Sequence, residues 1–495
     1  MVRLGDLLHG LGGPDDAIVH VGLETSVTRA ELENIADQLA HDLRVAGVDA
    51  GQAVAVSLPN GSAAIAALFG VWRAGAVHVP LNPRLTAPEQ AHVLDAVRPA
   101  AIVTGGLRVQ RRPDAVTYSP DAALISMTSG TTGRPKPVLL RHQGVIDLLD
   151  GVIGTLRSGR SSDPARRPMP NLVPVSLSLW AGIYQVLFAF RVGAPAVIMP
   201  TFETRAFADI VAAFGIRSTV LPPPAMVMLC DDESITELAP LRYVRSISSP
   251  LSPLQARRFR GRFGIAVLNG WGQTEIGGEI VGWSAADSRE FGDTKLGSVG
   301  RPHRGVVVRA VDAGGTDVPV DGSGELWVTT PALSAGYADG ADLSDRLSPD
   351  GWFRTGDIGR VDVDGFVWIE GRVSDMINRG GLKVFPAESP KSCCSHPRSP
   401  MPRSSEHPTT GSARSRGRSS SPPTAARCRT LPRSMRCAAG TWRRTRCRSA
   451  TSPSTSSHAT RSARCSPGTW SYESRPQGTE QLRTPQLPAP RAALG

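Results

Sequence analysis

The sequence predicts an α/β protein: a large domain of βαβ units, a smaller β-rich part after it, and an unusual C-terminal segment. Short apolar runs alternate with helix-like stretches in the first part of the chain, which is typical of parallel sheets. From about Gly297 the pattern changes to alternating strands. The composition then changes abruptly at Ser389. With 495 residues, the chain is long enough for two to three domains and a sizeable core.

A capping box predicts the first helix. Thr28 and Glu31 have the spacing at which each side chain caps a backbone N–H group of the other residue. Gly47 is suited to the position just after the end of the helix. Between them, apolar residues recur at helical spacing, namely Leu32, Ile35, Ala36, Leu39 and Leu43.

Short, mostly apolar runs predict the strands. Asp364-Gly365, flanked by Gly359–Val363 and Phe366–Glu370, indicates a hairpin in the later, β-rich part. The earlier runs, most of them near Gly or Pro, are expected in largely parallel sheets: Val54–Leu58, Ala76–Val79, Ala101–Val103, Ala196–Met199 and Ser218–Leu221.

The charge is unevenly distributed, which bears on the possible partners. Ser389 to Gly495 carries 18 Arg, one Lys and three acidic residues, a net charge of +16, whereas the preceding 388 residues carry −5. The overall charge of +11 therefore gives no basis for nucleic-acid binding by the whole protein. There is no apolar run of membrane-spanning length and no signal-peptide pattern at Met1, so we expect a cytoplasmic protein without a membrane span.

A Gly- and hydroxyl-rich string follows the apolar segment Ala122–Met127. Its N–H and O–H groups could surround phosphate oxygens, and its lysine adds a compact positive charge. The spacing Gly-x-x-Gly-x-x-Lys differs from that of the usual P-loop. A flexible surface loop is the alternative interpretation, but the intact nine-residue string favours a phosphate site. Its candidate phosphate-binding residues are Thr128, Ser129, Gly130, Thr131, Thr132, Gly133 and Lys136.

This string resembles the signature loop of the adenylate-forming superfamily, which includes acyl-CoA synthetases, peptide-synthetase adenylation domains and beetle luciferases. The resemblance covers residues 1–388, and it implies an ATP- and acyl-binding domain over 1–371 and a hinge with the start of a C-terminal domain over 372–388. Further motifs occur in the family's order: Leu68–Pro83, Asn269–Glu275, Gly324–Leu326, Gly336-Tyr337, Trp352–Asp357, Gly371–Ile377 and Gly380–Glu388.

The resemblance also implies a reaction and the residues that perform it. A carboxylate attacks the α-phosphate of ATP, and a thiol, usually that of coenzyme A, then accepts the acyl group from acyl-AMP. The implied catalytic residues are Lys136, Thr274 and Glu275, with Glu275 as the Mg²⁺ ligand. The implied nucleotide contacts beyond the loop are Ser248, Asn269, Gly270, Trp271, Gly272, Thr274, Asp357 and Arg372.

The sequence gives weaker indications of the acid and of the acceptor. Pro174–Gly182 lacks the aromatic–His pair that often lies near the acyl pocket in the family. Its small and apolar residues favour an apolar acid, fatty or aromatic, over an amino acid, which would require a buried acidic residue. An acyl carrier protein is an alternative acceptor to CoA. Pro137 also departs from the family, since it replaces the Gly that usually follows the loop lysine.

The segment from Ser389 to Gly495 is interpreted as a shifted reading frame. It contains no Val, Ile or Phe and only four Leu, too little apolar surface for a folded core, so disorder is expected. Shifted by one frame, Ser399–Thr409 can encode Ala-Asp-Ala-Ala-Val-Val-Gly-Ala-Pro-Asp, which resembles the start of the family's C-terminal domain. Ser456–Ser466 likewise permits the family's final lysine motif.

The shifted frame predicts impaired chemistry. No lysine follows Lys391, so the chain lacks the catalytic lysine that the family carries in its C-terminal domain. The alternatives are a catalytically inactive nucleotide-binding remnant and an adenylation domain for an amino acid. The Arg-rich tail is not expected to bind nucleic acid.

Overall fold

The computed structural model describes residues 3–128, 135–157, 168–247, 249, 251–375, 377–379 and 382–384. These residues include five short 3-10 helices, of which Thr274–Ile276 and Ser344–Arg346 matter for the site. They also form nine α-helices: α1 (Arg29–Val45), α2 (Ser62–Arg73), α3 (Ala87–Val97), α4 (His142–Arg157), α5 (Trp180–Arg191), α6 (Thr204–Ala213), α7 (Pro223–Asp231), α8 (Pro253–Phe263) and α9 (Ala285–Phe291).

Three sheets make up the first part of the chain, and their central pairings are parallel. In a six-stranded sheet, β6 and β8 are antiparallel edge strands. Its order is β6 (Arg108–Arg111), β5 (Ala101–Thr104), β3 (Ala53–Val56), β4 (Val77–Pro80), β7 (Ala122–Thr128) and β8 (Lys136–Arg141). A second sheet is ordered β2 (Thr25–Thr28), β1 (Ala17–Val21), β10 (Ala196–Ile198) and β9 (Asn171–Val173). The third contains β11 (Ser218–Val220), β12 (Tyr243–Ser246) and β13 (Ala266–Asn269).

Later strands pair in antiparallel fashion. A three-stranded sheet contains β14 (Trp271–Gln273), β15 (Gly278–Gly282) and β16 (Arg301–Pro302). A four-stranded sheet contains β17 (Val307–Val311), β18 (Gly324–Thr329), β19 (Phe353–Val361) and β20 (Val367–Arg372). A two-stranded ribbon contains β21 (Ile377–Arg379) and β22 (Leu382–Val384).

The α/β class and the predicted helix are confirmed. Thr28 caps α1: its hydroxyl accepts from the N–H of Glu31 at 3.2 Å, and the Glu31 carboxylate accepts from the N–H of Thr28 at 2.8 Å. Gly47 follows the helix with a φ of 76°. A cap of this kind satisfies backbone donors that have no partner within the helix.

The predicted strands are also confirmed, with shifts of one or two residues at their ends. Each of the five runs overlaps one of β3, β4, β5, β10 and β11, and all five strands have parallel partners. The hairpin joins β19 to β20, with Val361 opposite Val367. Its turn is held by Asp362, whose Oδ1 accepts from the N–H groups of Asp364 and Phe366.

Apolar side chains from helices and sheets form the core. The largest buried cluster joins the start of the chain, α2, α5 and β7 to β18 and β19, so the β-rich part packs directly on the α/β part. Ser389–Gly495, which the sequence analysis interprets as a shifted reading frame, lies outside the described residues. Among the described helices, none is both long and apolar enough to cross a membrane.

Candidate nucleotide site

The two ends of the predicted phosphate loop lie side by side. Thr128 and Lys136 are register partners at the open end of β7 and β8, and the Thr128 hydroxyl donates to the Lys136 carbonyl at 3.3 Å. The loop therefore begins and ends on one strand pair. Five predicted residues of the loop fall outside the described residues: Ser129, Gly130, Thr131, Thr132 and Gly133. Ser248, which belongs to another segment of the chain, also falls outside them.

A segment of the β-rich part covers the free edge of β8. The N–H of Leu139 donates to the carbonyl of Gly336 at 2.9 Å, and the N–H of Ala338 donates to the carbonyl of Pro137 at 2.7 Å. Pro137, which has no N–H to donate, thus still contributes an acceptor. This pairing places the Tyr337 ring beside Lys136, whose Nζ lies 5.2 Å from the ring centroid.

Glu275 is the next member of the site. It is buried in the 3-10 turn Thr274–Ile276, directly after β14. Its Oε1 accepts from the hydroxyl of Tyr337 at 3.3 Å and lies 3.3 Å from Nη1 of Arg346. Burial and the nearby Glu275 carboxylate raise the pKa of Tyr337, so this hydroxyl stays protonated and donates.

Arg346 connects Glu275 to the strands beyond it. Its Nη2 donates to Oε1 of Gln273 at 3.1 Å and to the carbonyl of Thr355 at 2.8 Å. Its guanidinium also lies 4.4 Å from the centroid of the Phe353 ring. Such a set of planar contacts fixes the orientation of an arginine better than a single ion pair would.

Asp357 completes the network and is almost fully buried, with 3% of its surface exposed. Its Oδ2 accepts from Nε1 of Trp271 at 2.8 Å and from Nε2 of Gln273 at 2.9 Å. Its Oδ1 lies 2.9 Å from Nε of Arg372, its register partner on β20. Three donors hold this buried carboxylate in one orientation.

The Asn269–Gly272 segment runs alongside this carboxylate. Asn269 ends β13, where it pairs with Ser246, and Trp271 and Gly272 begin β14. A Cβ atom on Gly272 would lie 1.6 Å from the carbonyl oxygen of Gly278 on the neighbouring strand. Only glycine permits this close approach of the two backbones.

The structure therefore brings five of the ten described candidate residues into one network, namely Lys136, Trp271, Glu275, Asp357 and Arg372. Contacts run from Lys136 through Tyr337, Glu275 and Arg346 to Gln273 and Asp357, and end at Arg372 and Trp271. Thr274 and Gly270 lie on the same chain segment as these residues. Thr128 belongs to the same strand pair as Lys136.

Sequence reasoning missed the two residues that join the halves of this network. Gln273 lies inside the Asn269–Glu275 motif, so its position in that string was an available signal. Arg346 has no such signal, because it lies in a polar stretch outside the motifs. Only tertiary contacts bring it to Glu275 and Gln273. Tyr337 was noted as part of a motif, but no role was assigned to it.

The donor set of Glu275 can be compared with what Mg²⁺ requires. Both contacts of its carboxylate fall on Oε1, and among the described residues Oε2 has no hydrogen-bond partner. The described residues contain no group of three or more carboxylate, His or Cys ligands. Mg²⁺ is commonly bound by one or two carboxylates together with substrate phosphates and water. The site therefore fits a metal that arrives with a nucleotide.

Comparison with known proteins identifies the class. The chain matches the family described as AMP-binding enzyme over residues 11–120 and 108–338. The chain belongs to this family, and it is an acid-activating ligase by membership.

Particular relatives agree with this assignment. The chain is 31% identical over 399 residues to a feruloyl-CoA synthase of an Amycolatopsis species, covering 75% of this chain and 78% of that protein. It is 29% identical over 409 residues to the sulfoacetate–CoA ligase of Cupriavidus necator, covering 75% and 78%. The crystal structure of ATP-bound MatB from Rhodopseudomonas palustris has the same fold, with a TM-score of 0.68, 22% identity and coverage of 78% and 82%.

Proposed function

We propose that the protein uses ATP to activate a carboxylic acid as acyl-AMP, and that the lineage transfers the acyl group to coenzyme A. Family membership supports the activity class. The observation that carries the assignment of residues is the continuous network from Lys136 to Asp357. It joins a cationic end, which we assign to the phosphates, to a carboxylate suited to ribose hydroxyls.

Each end of the network has a role in holding the nucleotide. Asp357 accepts hydrogen bonds from the ribose hydroxyls, and Arg372 assists at the exposed side of that carboxylate. The backbone of Asn269–Trp271, together with Ser248, packs the adenine. Lys136 and the loop hydroxyls and N–H groups hold the β- and γ-phosphates.

Glu275 would hold Mg²⁺, while Tyr337 and Arg346 fix its carboxylate through Oε1. The ion supplies positive charge near phosphate oxygens where negative charge increases during the reaction. Thr274 adds a hydroxyl donor next to Glu275.

The chemistry requires activation because a thiolate does not displace oxide from a free carboxylate. An oxygen of the acid forms a bond to the α-phosphorus of ATP, the bond from that phosphorus to the bridging oxygen breaks, and pyrophosphate leaves. Thr274 and Lys136 stabilise charge on the phosphate oxygens. The thiol then attacks the acyl carbon, AMP leaves, and a thioester results.

We further propose that the chain as written binds ATP but forms acyl-AMP slowly. No lysine follows Lys391, so the cation that would bridge the attacking carboxylate and the α-phosphate is missing. Loss of one preorganised transition-state donor costs on the order of 10²–10³ in rate. The choice between CoA and a carrier protein as acceptor, and the cytoplasmic location, remain predictions.

A paired experiment tests both statements. MgATP binding to the full chain is measured by calorimetry, and acid-dependent pyrophosphate exchange is measured for the same chain and for a version with the reading frame restored from codon 389. We expect binding by both proteins and rapid exchange only by the restored one. If the written chain does not bind MgATP, the assignment is wrong, and if it exchanges as fast as the restored chain, the proposed impairment is wrong.

A further inference from the structure

A cleft of about 340 Å³ runs along β13, the last strand of the third sheet, and we call it the edge cleft. Ala266, Val267 and Asn269 of β13 line it. One wall is α8, and the other is formed by α9 and the residues that follow it, as far as Ser298. Its volume lies within the range of ligand sites in proteins. Of the described candidate nucleotide residues, Asn269 alone lines the edge cleft, so most of it is separate from the nucleotide network.

β13 turns an unpaired backbone edge toward the edge cleft. The N–H of Gly270, just after the strand, donates to the carbonyl of Ser246 on β12 at 2.9 Å. Backbone groups of successive residues in a strand point to opposite edges, so those of Val267 and Asn269 point away from β12. Among the described residues, none donates to or accepts from these edge groups, and both residues are half-buried. Such an edge is a template for pairing with another extended chain.

Arginine side chains line both walls of the edge cleft. Arg257 and Arg260 belong to α8, and Arg289 belongs to α9. The lining residues carry these three positive charges and one negative charge, that of Asp293. Within the described part of the chain, Arg257 and Arg289 have no acidic partner at ion-pair distance, whereas Arg260 pairs with Asp293. The edge cleft therefore attracts anionic groups.

The Arg260–Asp293 pair shows that a carboxylate fits at the rim of the edge cleft. It joins the two walls at a distance of 2.7 Å, and the side chains of Arg260 and Asp293 are 48% and 84% exposed. Exposed pairs of this kind contribute little to stability. A carboxylate from outside can therefore take the place of Asp293.

We propose that the edge cleft binds an extended acidic peptide segment of a partner protein. The segment adds a strand beside β13 and places its carboxylates near Arg257, Arg260 and Arg289. β13 has four residues, so it offers about 13 Å of edge for pairing. Backbone hydrogen bonds supply affinity, and the arginines select acidic side chains, since alternate side chains of an added strand face opposite walls. This inference does not depend on the proposed function.

The charge of the edge cleft separates this occupant from two others. The chain's own segment from Ser389 to Gly495 carries a net charge of +16, so the arginines repel it. An apolar ligand would cover the free N–H and C=O groups of β13 without replacing their hydrogen bonds to water, which is costly. An acidic strand satisfies the edge groups and the arginines together.

Fluorescence anisotropy with the full chain tests the proposal. The probe is fluorescein-labelled acetyl-Val-Glu-Glu-Glu-Val-amide. It is compared with the same peptide carrying Lys in place of each Glu, and with the acidic peptide N-methylated at all three Glu residues. We expect the acidic peptide to bind, the basic one to bind at least about 10-fold more weakly, and the N-methylated one to lose roughly 10- to 30-fold, as for two backbone hydrogen bonds.

The N-methylated peptide keeps its charge, so it separates strand pairing from attraction alone. No binding of the acidic peptide, equal binding of the basic peptide, or equal binding of the N-methylated peptide would overturn the proposal.

Variants locate the binding site. The double variant Arg257→Gln/Arg289→Gln removes one unpaired charge from each wall and should weaken binding of the acidic peptide roughly 10-fold. Arg258→Gln is the matched control, because Arg258 also belongs to α8 but pairs with Asp231 at 2.6 Å. Denaturant midpoints report that the variants are folded. An unchanged affinity in the double variant, or an equal loss in the control, contradicts the assignment.

Asp293→Asn should have the opposite effect. Without the competing carboxylate, Arg260 is open to the peptide, and affinity should rise by up to about 5-fold. A weaker or unchanged affinity would count against the proposed position of the acidic side chains.

A second copy of this chain is the remaining occupant, and sedimentation velocity of the chain alone examines it. We expect no dimer that an excess of the acidic peptide dissociates. Such a dimer would assign the edge cleft to self-association and overturn the proposal.

Discussion

Replacing Asp357 with Asn tests the ribose end of the site. The carboxylate accepts from Trp271, Gln273 and Arg372 at 2.8–2.9 Å and is 3% exposed. The Asn amide has one acceptor oxygen. This oxygen can still accept hydrogen bonds from Trp271 and Gln273, but these bonds no longer go to a charged group. The NH₂ group of the amide then faces Arg372, which is also a donor. Hydrogen bonds to charged groups contribute about 1.5–3 kcal/mol each, and the half-exposed arginine pair contributes at most about 1 kcal/mol.

We therefore expect Asp357→Asn to lower the free energy of unfolding by about 2–4 kcal/mol. Affinity for MgATP should fall roughly 10- to 100-fold, because the ribose hydroxyls lose a charged acceptor. Denaturant titration followed by tryptophan fluorescence measures the first quantity, and calorimetry the second.

Asp321→Asn is the matched control. It removes a carboxylate that is 52% exposed and lies 2.6 Å from Arg360 on the same strand as Asp357. An exposed pair of this kind should change stability by less than about 1 kcal/mol and leave nucleotide affinity unaltered. If folded Asp357→Asn binds MgATP as tightly as the parent, the ribose role of Asp357 is refuted.

Three further predictions concern residues that the fold constrains. Gly272→Ala should abolish MgATP binding, since its Cβ atom would lie 1.6 Å from the carbonyl oxygen of Gly278 and force β14 and β15 apart; normal calorimetric affinity would contradict this. Thr28→Ala should lower the free energy of unfolding by about 1 kcal/mol through loss of the α1 cap and leave MgATP affinity unchanged. If it shifts the denaturant midpoint less than a surface control substitution does, the capping role is disproved. Burial lowers the pKa of His78 from 6.5 to about 3, so the unfolded chain takes up a proton below pH 6.5 that the folded chain does not, and stability is lost as the pH falls. His78→Leu should therefore lose about 2 kcal/mol less than the parent between pH 7 and pH 5, and identical pH slopes in denaturant titrations would rule this out.

Local signals in the sequence predicted the elements well. The Thr28–Glu31 box lies within four residues, and the alternation that forms the β19–β20 hairpin lies within a dozen, so near neighbours decide both. Motif strings likewise predicted Lys136, Glu275 and Asp357 as members of one site.

The connections between those strings were beyond a sequence-only prediction. Arg346 meets Gln273 across 73 positions of the chain, and Arg245 meets Glu279 across 34, and both meetings depend on how separate sheets pack. Arg245 reads as an isolated charge in a short strand, and nothing in the string indicates that it is buried with a carboxylate.

The most direct measurement is a crystal structure of the full chain with Mg²⁺ and a non-hydrolysable ATP analogue. Our account predicts ribose hydroxyls on Asp357, the metal on the free oxygen of Glu275, and the outer phosphates near Lys136. A nucleotide bound elsewhere, or one that touches only one end of the network, would contradict it.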